Sequence, residues 1–172
     1  MLKYIGIAMI IIAGGLLGFL KSRTYSNYVA LLQALALATD LLETEVRYKQ
    51  NPLERAFEET GNAVNHPEVA GLFLTASCGE TSYWGLPDEA WKKGVASMAK
   101  SIPQGEPLAD YLLDFGQALG RTDLQTQQTL FALFRRQLAQ CLERAIARET
   151  KEGRLWQYLG LSGAVVLVIL LI

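Results

Sequence analysis

Apolar residues are distributed along this chain in two ways, as unbroken runs at both ends and as stripes of helical period between them. From Tyr4 to Leu20 and again from Leu155 to Ile172 there is no charged residue. A hydrocarbon core of ~30 Å needs about 20 helical residues, so each run is long enough to span a bilayer with little tilt. The first run, with Lys3 before it, also fits a cleaved signal peptide, although its apolar stretch is longer than such peptides use and no clear small-x-small site follows it. The pairs Gly14 and Gly18, and Gly160 and Ala164, have the small-xxx-small spacing that lets two membrane helices approach, but glycine is also simply common in such helices.

Between the runs the periodicity predicts helices throughout and no sheet. Tyr28, Leu31, Leu35, Ala38, Leu42 and Val46 recur at spacings of three and four, which predicts one helix over 25–48 that continues from the first run. Asn51 reads as the N-cap of a short helix with Pro52 as its first residue, Glu54 as reciprocal partner and Gly61 as its stop, carrying Leu53, Ala56 and Phe57 inward. Pro67 opens another helix through Val69, Leu72 and Phe73, and "SCGETSYWG" reads as a loop. Pro87 starts a helix with Trp91, Val95, Met98 and Ile102 on one face, stopped by Pro103. Pro107 starts the next, with Leu108, Tyr111, Leu112 and Phe115 inward and Gly120 as its cap. Thr122 then opens a long helix over 123–152 in which Leu124, Phe131, Leu138 and Ala145 recur every seven residues, with Phe134 and Cys141 between them. Gly153 is the expected flex point before the second run. The fold class is therefore all-α, in three parts: 1–21 a transmembrane helix, 22–154 a bundle of about six helices, and 155–172 a second transmembrane helix.

Charge adds an orientation. All 17 acidic residues and 14 of the 16 basic ones lie between Arg23 and Arg154, a formal −3, which offers no basic face for nucleic acid. Lys21, Arg23 and six further cations from Arg135 to Arg154 crowd the inner sides of the runs, and the positive-inside rule then places the central domain in the cytoplasm. Two cysteines, Cys78 and Cys141, make neither a metal spacing nor a disulfide framework.

Candidate chemistry is sparse. Glu43 and Glu45 are about 200° apart around a helix, on opposite flanks of the apolar stripe, so they cannot share one ion or substrate. Each has a basic partner four residues on, Arg47 and Lys49, in the favourable order. That describes a solvated helix end or, alternatively, a partner-binding edge. His66 precedes a proline outside any nucleophile motif, and Ser77 in "SCGET" lacks the glycines of a nucleophile elbow, so a hydrolase reading rests on little. Trp91 sits at core spacing, whereas Tyr83 and Trp84 in the loop are better placed for an exposed contact. No cofactor or metal is expected.

The order "LLETEVRY…NPLERAF", a mid-domain tryptophan, "LLDFGQALGRTDLQTQ" and a terminal "YLGLSGAVVLVILLI" resembles the stage III sporulation protein AB family of endospore-forming bacteria over nearly the whole length. The resemblance implies a helical domain similar to the platform proteins of type II secretion and type IV pilus systems. It also implies a place in the complex joining mother cell to forespore, in the mother-cell membrane that surrounds the forespore. Its implied partners are the lipid bilayer, a secretion-type ATPase, and channel or ring components, with a homo-oligomer also admitted. The family pattern falls on Leu42, Glu43, Glu45, Pro52 and Leu53, and on Leu119, Gly120, Asp123 and Gln127. It makes Glu43, Glu45 and Arg47 a candidate partner-binding edge, and Asn51, Pro52, Gly120, Thr122 and Asp123 structural corners; Asn51 stands where threonine is expected. The function so implied is a non-enzymatic, membrane-anchored assembly component. A two-span sensor or adaptor acting through a partner is the competing class.

Overall fold

The structure, a computed structural model, describes the backbone of residues 2–78, 88–119 and 124–171, and the side chains of 23–78, 89–119 and 126–151. Six α-helices account for most of it: α1 Leu2–Arg47, α2 Leu53–Ala63, α3 Pro67–Ser77, α4 Asp88–Met98, α5 Leu108–Leu119 and α6 Leu124–Leu171. A 3-10 turn, Ala99–Ser101, extends α4, and there is no strand among the described residues. The chain forms two compact units. The outer one contains 1–29 and 143–172, and the inner one 30–142.

In the inner unit, α2, α3, α4 and α5 pack on one another in chain order. The expected stripe of α1 is buried at Tyr28, Leu31, Leu35, Ala38 and Leu42, but the buried face is wider and takes in Val29, Leu32 and Thr39 as well. The α6 repeat holds from Phe131 on, with Phe131, Phe134, Leu138, Cys141 and Ala145 all buried, while the side chain of Leu124 lies outside the described residues. A chain of rings links five helices. Phe57 of α2 stacks on Trp91 of α4 with centroids 5.6 Å apart, and Phe73 of α3 meets Trp91 edge-on at 5.9 Å. Trp91 lies 6.3 Å from Phe115 of α5, which in turn stacks on Phe134 of α6 at 4.3 Å. Such pairs contribute beyond their buried area only when ring geometry is kept, which ties the helices to one another in definite orientations.

Trp91 is also the clearest case of sequence dictating a close approach. Its indole Nε1–H donates to the Leu112 carbonyl at 2.8 Å. The ring lies so close to α5 that a Cβ on Gly116 would sit 2.2 Å from Nε1. A helical glycine normally costs about 1 kcal/mol relative to alanine, so Gly116 is an unfavourable helix residue whose justification is the ring it admits.

Several expected boundaries differ. Gly61 does not stop α2, which runs on to Ala63. Gly61 is buried within it because Leu74 of α3 packs where a side chain would be, at 2.8 Å from a Cβ. Pro52 precedes α2 rather than opening it, and the helix begins at Leu53. Met98, not Pro103, ends α4. After the 3-10 turn, Ile102 is extended, as a residue before proline prefers, and half-buried rather than core. The chain then reverses through a turn closed by the Glu106 N–H on the Pro103 carbonyl, with Gly105 at φ +84°. Gly153 does not interrupt α6, which continues through it; a single glycine inside a helix of 48 residues is a small local cost. Tyr111, Val46 and Leu53 are half-buried rather than core.

Both charge-free runs are helical in backbone and continuous with the helices that enter the inner unit. Among the described residues no helix is long and apolar enough to cross a membrane; the side chains of both runs, with the small-residue pairs, lie outside them.

Candidate functional site: the polar end of the first long helix

The last two turns of α1 carry the candidate edge. Because the buried face of α1 is wide, Glu43 continues the row of Leu32 and Thr39, and Glu45 the row of Leu31, Ala38 and Leu42. Both glutamates are consequently buried, 7% and 8% exposed, which corrects the solvated helix end that the ion-pair spacing suggested. Burying a carboxylate is tolerable only when its oxygens are paired. Here each oxygen is. Glu43 takes Arg47 on Oε1 and Arg135 of α6 on Oε2. Arg135 also reaches Asp40 at 3.1 Å, so one guanidinium clamps α6 to two acids of α1. Glu45 accepts from Lys49 Nζ at 2.6 Å on Oε1 and from Asn51 Nδ2 at 2.8 Å on Oε2.

The two carboxylates therefore share no partner, as their angular separation on the helix required. The Lys49 ammonium holds the Glu45 carboxyl below the ordinary glutamate range. Burial opposes this shift, while Asn51 and the more distant Arg55 add to it.

Asn51 is not the N-cap of α2. Pro52 occupies that place, and no side chain caps the helix. The Asn51 amide serves Glu45 instead, and its backbone N–H returns to the Glu45 carbonyl at 3.1 Å, six residues back. That bond spans the turn that follows α1, in which Gln50 holds φ 53°, a left-handed position normally given to glycine. Beyond the corner, Tyr48 stands 76% exposed with the Arg47 guanidinium 5.7 Å from its ring centroid. Of the predicted residues, Glu43 is thus paired with Arg47, and Glu45 is tied to Asn51, next to Pro52, at the turn after α1. Asp40, Arg135, Gln50 and Tyr48 are residues here that sequence reasoning missed. Arg135 lies 92 residues from Glu43 and carries no local signal, and a left-handed glutamine looks like any other. Gly120, Thr122 and Asp123, the second predicted corner, lie outside the described residues.

Elsewhere the candidates do not assemble. His66 precedes α3 and Ser77 ends it, about 16 Å apart along an 11-residue helix, and the Ser77 hydroxyl donates to the Leu74 carbonyl. They form no nucleophile and base pair. Tyr83 and Trp84 lie outside the described residues, and Trp91 is core at 1% exposure. Among the described residues no group of three or more His, Cys, Asp or Glu is placed to hold a metal ion. Cys78 is exposed and Cys141 buried.

Comparison with known proteins bears on the whole chain. A family model described as stage III sporulation protein AB matches residues 3–172. Stage III sporulation protein AB of Bacillus subtilis (strain 168) is 25% identical over 171 residues, 99% of each chain. No solved structure matches. The chain belongs to the stage III sporulation protein AB family.

Proposed function

We propose that this protein is a non-enzymatic, two-pass membrane scaffold. Its helical body sits in the mother-cell cytoplasm at the membrane around the forespore, where it docks a secretion-type ATPase or ring components of a channel-like complex. The observation that carries the reading is the continuity of α1 and α6 with the two charge-free runs. Each charge-free run is thus one helical element with the segment that leaves it, as a membrane anchor built on the first and last helices requires. Within the outer unit the Ser26 hydroxyl donates to the Glu149 carboxylate. Leu20 lies six residues before Ser26 and Leu155 six after Glu149, so both runs begin about 9 Å along their helices from this bond. Equal offsets suit two helices entering one bilayer together.

At the α1 corner, Glu43 and Glu45 act by fixing the edge rather than by offering charge, and Tyr48 with Arg47 over its ring is what the edge presents outward. Full-length tagged protein recovered from the membrane fraction of sporulating cells should carry the ATPase with it, and Tyr48→Ser should lose the ATPase at unchanged yield and helicity. Retention by the variant moves the docking surface elsewhere, and absence of the ATPase from the native preparation overturns the scaffold reading. Exposed Cys78 reports sidedness, and its labelling by an impermeant thiol reagent from outside intact cells would favour the sensor class instead.

A further inference from the structure

The two compact units differ in charge. The outer unit holds seven basic and three acidic residues, a formal +4, and the inner unit nine basic and fourteen acidic, a formal −5. Half of this excess falls at one level of the outer unit. Between the Ser26–Glu149 bond and the start of the runs lie Lys21 and Arg23 on α1 and Lys151 and Arg154 on α6. The acids in the same short intervals are Glu149, which accepts from Ser26, and Glu152. Four cations and two acids thus stand within about 9 Å of axial rise, directly before both charge-free runs. Arg148, one residue outside the interval, is exposed.

We infer that this collar is a binding site for anionic phospholipid headgroups, which rests on the membrane reading above. A helix pair entering a bilayer holds its last polar turn at headgroup depth, where a lysine or arginine gains from a negative surface and the gain fades within a Debye length. The attraction of the collar deepens as the anionic lipid fraction rises. A zwitterionic headgroup supplies no net charge and leaves the collar's excess unanswered.

Trp156, just inside the second run, provides a probe. Full-length protein is reconstituted in vesicles of mixed phosphatidylcholine and phosphatidylglycerol, with either lipid brominated, and quenching of tryptophan fluorescence gives the relative affinity for the two headgroups. The expected preference for phosphatidylglycerol is of the order of tenfold, falling several-fold in 0.5 M salt. It should disappear in the variant carrying Lys21→Gln, Arg23→Gln, Lys151→Gln and Arg154→Gln. Equal quenching by both lipids in the native protein overturns the headgroup site and leaves the membrane reading standing. Absence of quenching by either lipid, with the protein free of vesicles, overturns both. Loss of the preference on adding millimolar glycerol phosphate would mean a site for soluble anions rather than for a lipid surface, and also overturns the inference.

Discussion

The inner unit contains two buried neighbourhoods built on opposite terms. Around Trp91 the contacts are apolar rings, with a single polar atom, the indole N–H, satisfied by the Leu112 carbonyl. At the end of α1 the buried groups are two charges, each held by two partners, three of which reach solvent: the side chains of Arg47, Lys49 and Arg135 are 30%, 58% and 45% exposed. The first neighbourhood has no slack, because its shape is set by close packing on all sides. The second has slack on its cationic side, because an exposed arginine or lysine that loses its acid can return to water. The difference teaches where substitutions are felt: sterically at Trp91, and through geometry and protonation at the corner.

The largest expected effect therefore comes from adding one methyl group. Gly116→Ala places its Cβ 2.2 Å from the indole Nε1, so the ring must shift, strain its neighbours and release the Leu112 carbonyl. Overpacking costs about 1–3 kcal/mol and a buried unsatisfied polar group a similar amount, so a loss of about 3 kcal/mol is expected in the denaturation of the full chain in detergent. In a Trp91→Leu background the same change should cost much less than in the native protein, because the ring that it strikes is gone. Additive losses in this double-mutant cycle would remove the steric account.

A smaller effect is expected at the corner, and it should depend on pH. Glu45 has its carboxyl lowered chiefly by Lys49, so the folded state favours the ionised form more than the unfolded chain does. The resulting stability is complete above the ordinary glutamate range and is lost as pH falls through the depressed folded value. Glu45→Gln should therefore destabilise by about 1 kcal/mol at neutral pH, a modest figure because Lys49 is exposed. Its deficit relative to the native protein should shrink as pH is lowered from 7 through the acid range. A deficit that is constant with pH would mean that Glu45 matters for its shape alone.

The same contrast explains what was legible in the sequence. The stripe of Tyr28 to Leu42 and the seven-residue repeat from Phe131 to Ala145 were readable because burial repeats with the helix period, and the periodicity survives without knowledge of the partner helix. The i+4 pairs at Glu43 and Glu45 were readable for the same local reason. What was not readable depends on distant residues. Gly61 looks like a helix stop until Leu74 is packed against it, and Glu43 looks solvated until Arg135 arrives from α6. Asn51 before a proline has the signature of a cap, yet its amide is taken by a carboxylate of the preceding helix. The family resemblance was legible because it lies in the order of segments along the whole chain, which the match over 3–172 bears out.

The smallest effect separates packing from backbone at the corner itself. Gln50 holds φ 53°, a region that costs an L residue roughly 1–2 kcal/mol, and it stays there because Asn51 bonds Glu45 through both its backbone N–H and its side chain. Glycine would relieve the strain in the folded state, while its greater freedom in the unfolded chain returns roughly 0.5–1 kcal/mol of that gain. Gln50→Gly should accordingly stabilise the protein by about 0.5 kcal/mol, with no change in the pH dependence, since no titrating group is altered. In an Asn51→Ala background the corner loses one of the two bonds that hold it, the backbone is free to leave the left-handed region, and the gain from glycine should fall toward zero. If Gln50→Gly destabilises the native protein, the glutamine side chain makes a contribution of its own at this corner, and the paired acids alone do not account for how α1 ends.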